Sequence, residues 1–348
     1  MKLWRLDEDR VLRESSNHQL EKEYHERILL CNAFEKWHVN LPRDMNLFIT
    51  RSLPGPRRFW QLPTTAKYHK YLRPADYTIS SSSAPSASTT SPGAQQISFI
   101  LETRLCSRPR LIHPPIRGAI IMDHVLPLSR NWVDRIFDDY LTPDARAQAH
   151  RRPENYEIHP RVFLGVEMTP DVRDRLADNP NLTGRAVYLD QCIQTLGLAA
   201  VKHLARQIGI TYAIINFELL HSARTLEFRL YHDPDTHRPR LWVSSHDLYP
   251  ITDAPLEMDN GTLRTTQVAE PMFRNPATPM PAVVDDDIFN EYMDAYVLAS
   301  VAIIDKKKSD YPALNTAYHV LWEAIMEDAE KRVTEAADEY NEMGDRNT

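Results

Sequence analysis

Residues 226–247, LEFRLYHDPDTHRPRLWVSSHD, constrain the fold more than any other stretch of this chain. Leu226–Tyr231 and Leu241–Ser244 alternate or cluster apolar residues as strands do, and the DPDTHRP between them is dense in Asp and Pro. Two extended runs joined by turn-forming residues predict a β-hairpin. Upstream, Tyr188–Ile208 places Ile193, Leu196, Ala200, Leu204 and Ile208 on one stripe, which predicts a single central helix. The fold class expected is α+β: a mainly helical lobe with a central β-hairpin, plus a reduced N-terminal part of one helix and a few strands.

The remaining elements follow from local pattern. Asn17–Phe34 reads as a helix, with Leu20, Tyr24, Ile28 and Cys31 at helical spacing. Residues 38–78 read as irregular, because Pro42, Pro54, Pro56, Pro63 and Pro74 break regular elements. Ser80–Gln96 is low-complexity, lacks the apolar surface that would offset ordering, and is expected to be a disordered insert. Ile97–Leu105 and Gly118–Val125 read as strands that pair with each other. Ser129–Leu141 starts on a capping Ser and reads as a helix, Pro143–Arg152 as a short one, and Arg161–Val166 as extended chain. Asp286–Ile304 and Leu314–Met343 close the helical part. The division expected is an N-terminal part at 1–78, the insert at 79–96, a core at 97–304 and a C-terminal helix with a frayed acidic end at 305–348.

Composition narrows the setting. No run of about 18 apolar residues exists, so no membrane span is expected, and the opening MKLWRLDEDRVLRESS puts charges where a signal peptide needs an apolar centre. Cys31, Cys106 and Cys192 lie far apart without a CxxC pair and read as reduced thiols of an intracellular protein. The sequons at Asn181 and Asn260 then read as chance matches. The net charge is −7, yet Arg43–Arg117 carries eleven Lys and Arg against three acids, a local +8 that leaves −15 elsewhere. Such asymmetry points to partners more than the total does.

Several segments, in order, resemble a fungal family catalogued as domain of unknown function 3669, whose members carry a zinc-finger-like label. They are NHQLEKEYHERI at 17–28, GAIIMDHVLPL at 118–128, DDYLTPDARAQAHRRPENYEIHPRVFLG at 138–165, YLDQ at 188–191, LEFRL at 226–230, LWVSSHD with PIT at 241–252, MFRNPATPMP at 272–281 and IFNEYMDAYVLAS at 288–300. The resemblance implies a degenerate kinase-like C-terminal lobe. Such a lobe sets an Asn or Asp before the first hairpin strand and an Asp after the second, because Mg²⁺ takes hard oxygen ligands beside the phosphates. Carried over by position, its His-Trp pair falls on Asn216 and Phe217, its loop acids on Ser222 and Thr225, and its last motif on Ser245, His246 and Asp247. Only Asp247 keeps an acid. Arg13 stands where a phosphate-binding Lys would, with Glu23 as its partner, and the 9 glycines form no GxGxxG. Without two hard ligands there is no fixed metal, and the γ-phosphate charge stays unneutralised.

Other clusters have a plainer role beside each chemical one. His232, Asp233, Asp235 and His237 crowd one turn and could hold a divalent metal, although Asp and Pro there also simply set the turn. There is no Cys/His quartet for zinc. Ser244 or Ser245 with His246 and Asp247 could be drawn as a triad, but neighbours at a strand end rarely converge and no GxSxG elbow exists. Arg51–Arg73 has six basic residues, no acid and four aromatics. Its Arg57, Arg58, Phe59, Trp60, Lys67, Tyr68, Lys70, Tyr71 and Arg73 form a candidate partner-binding set that could meet phosphates and stack on bases, or dock against the chain's own acidic remainder. Lys306–Lys308 is a short basic cluster of the kind that can aid nuclear import, expected in a solvated loop.

The function expected is that of a non-catalytic, pseudokinase-like regulatory or interaction protein of a filamentous fungus, with nuclear gene regulation as its finer form. Partners would be protein, or nucleic acid through the basic aromatic segment, with no membrane and no cofactor. The location would be intracellular, nucleus over cytoplasm. The alternatives are a degenerate kinase-like phosphotransferase using Asp247 and Asp233, and a metal-binding module at the hairpin turn.

Overall fold

The computed structural model describes residues 2–5, 10–15, 19–41, 56–62, 117–123, 125–233, 237–250, 268–280, 286–310, 322–323 and 325–335. They divide into two units, residues 1–31 with 54–126 and residues 32–53 with 127–348.

The first unit holds an antiparallel sheet of β1 (Lys2–Arg5), β2 (Arg10–Ser15), β3 (Pro56–Leu62) and β4 (Arg117–Asp123), in the order β1-β2-β4-β3. Strand β4 is central, pairing with β2 from Arg10↔Asp123 to Ser15↔Gly118 and with β3 on its other side. Strand β3 corrects the expectation of irregular chain over 38–78. Proline is tolerated at the first residue of a strand, which is where Pro56 sits, and Pro63 falls just past its end. The register shifts between Pro56 and Arg58, so Arg57 is the extra residue of a bulge. The expected strand at 97–105 and the low-complexity insert lie outside the described residues.

Helix α1 (Gln19–Asn40) runs six residues beyond the expected end at Phe34. Its last turns belong to the second unit, where Ala33, Phe34 and Trp37 are buried.

The second unit is mainly helical. In chain order it has α2 (Arg130–Tyr140), α3 (Pro143–Ala149), β5 (Arg161–Phe163), α4 (Pro170–Ala177), β6 (Ala186–Tyr188), α5 (Leu189–Leu196) and α6 (Leu198–Ala213). A π turn at Ile214–Glu218 follows, then β7 (His221–His232), β8 (Pro239–Pro250), α7 (Glu270–Phe273) and α8 (Asp286–Asp310). The sheet order is β6-β5-β7-β8, with β5 parallel to β6 and antiparallel to β7. The α+β, mainly helical class is therefore present.

The long central helix expected over 188–208 is two helices. Gly197 closes α5 and opens α6 at φ 86° and ψ 151°, a backbone region open essentially to glycine alone. Helix α6 is the middle of the core, buried on nearly every side from Leu204 to Ala213. It packs on α8 so closely that a Cβ at Gly209 would clash with the Tyr292 carbonyl oxygen. Below it, Glu218 ties three segments together: Lys36 Nζ donates to its Oε1 at 2.8 Å, Trp37 Nε1 to its Oε2 at 2.9 Å, and Lys307 Nζ lies 3.4 Å from Oε2.

Candidate functional site

The expected hairpin is present and longer than its apolar runs suggested. Strands β7 and β8 have 12 residues each, and register pairs Phe228 with Val243 and Leu230 with Leu241, all four buried. Two bulges, at Arg224 on β7 and Ser244 on β8, offset one another. Ser222 and Thr225 lie within β7, while Ser245, His246 and Asp247 lie within β8, where Thr225 pairs with Asp247. Positions expected to flank the hairpin are thus inside it. Asn216 and Phe217 are buried in the π turn, and Asn216 Nδ2 donates to Tyr296 Oη at 3.1 Å, which makes it a packing residue.

The hairpin tip is closed by its own groups. Arg240 Nε lies 2.8 Å from Asp233 Oδ2, with the Asp233 side chain only 2% exposed. The Asp233 N–H donates to the Arg238 carbonyl at 3.1 Å, and the His237 N–H donates to the Asp233 carbonyl at 2.8 Å. His237 takes φ 52°, the left-handed conformation that a tight turn requires. The rings of His232 and His237 face each other at 5.7 Å. Desolvation and His237 lower the His232 pKa, against a smaller raising effect of Asp233. Asp233 is committed to Arg240 and Asp235 lies outside the described residues; among the described residues no three His, Cys, Asp or Glu gather for a metal.

Beside this tip lies a cleft of about 640 Å³ lined by Trp132, Leu196, Ala199, Ala200, His203, Leu204, Arg238, Pro239 and Arg240. Local sequence explains its shape. The break at Gly197 lets Leu196 end one helix while Ala199 and Ala200 begin the next. Ala199 and His203, like Ala200 and Leu204, sit four residues apart on one face of α6. Two alanines leave room that larger residues would fill. Half-buried Trp132 of α2 supplies an aromatic surface, with the Arg135 guanidinium 5.3 Å from its ring centre. The hairpin brings Arg238 and Arg240.

Electrostatics give the cleft a sign. Desolvation, then Arg240, Arg206 and Arg238, lower the His203 pKa to about 4, so the imidazole is neutral at pH 7. Arg206 pairs with Glu291 of α8, Lys202 with Asp287 at 2.6 Å, and Arg240 with Asp233. Arg238 is exposed and makes no ion pair among the described residues. No carboxylate is among the described lining residues. An apolar floor with a few convergent polar groups is the form of a small-ligand site, and such pockets span about 300–1,000 Å³.

Sequence reading missed this cleft, since its three parts lie far apart in the chain. The available signals were the Gly-Leu-Ala-Ala step at 197–200 and the RPR triplet at 238–240. Of the expected partner-binding set, Arg57, Arg58, Phe59 and Trp60 lie in β3, an edge strand, while Lys67, Tyr68, Lys70, Tyr71 and Arg73 fall outside the described residues. Lys306–Lys308 corrects another expectation by lying inside α8 rather than in a loop. Lys306 Nζ donates to Asn40 Oδ1 at 2.7 Å and Lys307 to the Glu218 carbonyl at 3.3 Å. No helix among the described residues is long and apolar enough to cross a membrane. No family model, curated protein or solved structure matches the chain.

Proposed function

We propose that the protein is a non-catalytic regulatory protein whose activity is binding, and that the cleft between α6, Trp132 and the hairpin tip is its recognition site. The observation that carries this reading is the cleft itself: an apolar floor, an aromatic wall and guanidinium groups converging from the hairpin. These groups recognise and orient; none is positioned as a nucleophile beside a base. The hairpin adds support, because Thr225 and Asp247 are partners within one ladder instead of flanking ligands. The fungal family resemblance and the degenerate kinase-like lobe form part of this proposal, on the segments quoted above. So does the nuclear role, which rests on the short basic stretches Arg57-Arg58, Arg151-Arg152 and Lys306–Lys308, although Lys306 and Lys307 bond within the fold. A fluorescent fusion excluded from nuclei would remove that refinement.

The discriminating test is a thermal shift with ATP and GTP, each with Mg²⁺ or Mn²⁺. A ligand at a hundred times its dissociation constant adds about 2.7 kcal/mol, a visible shift. The proposal expects no metal-dependent stabilisation; one that disappears in Asp247→Asn would return the phosphotransferase reading.

A further inference from the structure

We infer that the cleft takes a small monoanionic amphipath, an organic acid whose flat or aliphatic apolar body lies on Trp132, Ala199 and Ala200 while its single charged head group meets Arg238. The inference rests on the binding reading above and narrows it to a ligand class.

Charge accounting selects a monoanion. Among the described residues three basic side chains line the cleft, His203, Arg238 and Arg240. His203 is neutral at pH 7, and Arg240 is compensated by the buried Asp233. Among the described lining residues Arg238 therefore supplies the single uncompensated positive charge at that pH. A polyphosphate would bring several negative charges to one matched cation, and a neutral molecule would leave the head-group position unused. The two arginines also lie together: Arg238 and Arg240 are two residues apart where the returning hairpin strand begins, and both line the cleft. An acidic peptide would favour cations spaced along a groove, so their closeness argues for one compact head group. A guanidinium offers a planar fork of donors suited to a carboxylate or sulfonate. The floor is correspondingly apolar, from Leu196, Leu204 and the two alanines.

The test uses the full chain and two fluorescent probes of nearly the same body. One is 8-anilinonaphthalene-1-sulfonate; the other is N-phenyl-1-naphthylamine, which lacks the sulfonate. The anionic probe should saturate at one site and weaken about 10-fold or more in Arg238→Ala, the scale of one charged hydrogen bond. Arg238→Lys should recover part of the affinity. The neutral probe should bind more weakly and alike in all three proteins. Decanoate should displace the anionic probe, whereas decanol and ATP should not at the same concentration. Unchanged sulfonate binding in Arg238→Ala, equal binding of the neutral probe, or displacement by ATP in preference to decanoate would each overturn the inference. Because Arg238 is exposed, its replacement leaves folding intact. Failure of these arms without nucleotide turnover rejects the ligand class alone; turnover dependent on Asp247 rejects the non-catalytic reading alone.

Discussion

Single atoms decide stability at the closest contacts of the second unit. At Gly209 an added methyl would meet the Tyr292 backbone, which cannot rotate aside. Gly209→Ala should therefore destabilise by about 1–3 kcal/mol, the usual cost of overpacking, read as a lower urea midpoint at unchanged m-value. His203 makes a different contribution. Its folded pKa is depressed to about 4 from 6.5, so the unfolded chain binds a proton there first as pH falls. The stability linked to neutral His203 is complete above pH 6.5 and is lost as pH drops toward about 4. His232, also lowered, acts with the same sign. His203→Gln should flatten the acid limb of a stability–pH profile over that window; an unaltered slope would contradict the local field described for the cleft.

At the scale of elements, the hairpin and the Gly197 step position the cleft. Arg240→Met would leave the Asp233 carboxylate buried without its guanidinium, at a cost of about 3 kcal/mol or more. Adding Asp233→Leu should return much of that loss, since the uncompensated charge is then gone; a double-mutant cycle on melting curves measures it. Gly197→Ala forces a methyl-bearing residue into a glycine-only conformation and should cost about 1–3 kcal/mol. The hairpin was legible in sequence because its apolar runs and its Asp-Pro turn both act over a few residues. The break at Gly197 was not, because the apolar stripe continues on either side of it and periodicity carries no record of φ. Strand β3 was obscured by proline density, although Pro56 and Pro63 bracket it without entering its interior. The lysines at 306–308 read as loop because charge alone does not report that α8 continues to Asp310.

For the whole molecule, fold class was readable and the site was not. Alternation and helical spacing are local properties, so sequence alone predicts a mainly helical α+β chain with a central hairpin. The cleft exists only after α2, the α5–α6 step and the hairpin tip meet, and its charge balance depends on which arginines find carboxylates. Asp233 illustrates the difference. In sequence it belongs to a tempting His-Asp cluster; in the fold it is the buried counter-ion of Arg240. The central claim is that this assembly binds without catalysing. Its most direct test is incubation of the purified chain and of Asp247→Asn with γ-phosphate-labelled ATP and Mg²⁺ or Mn²⁺, reading phosphate release and self-labelling. Equal background in both proteins is the predicted result; release or labelling that requires Asp247 would contradict it.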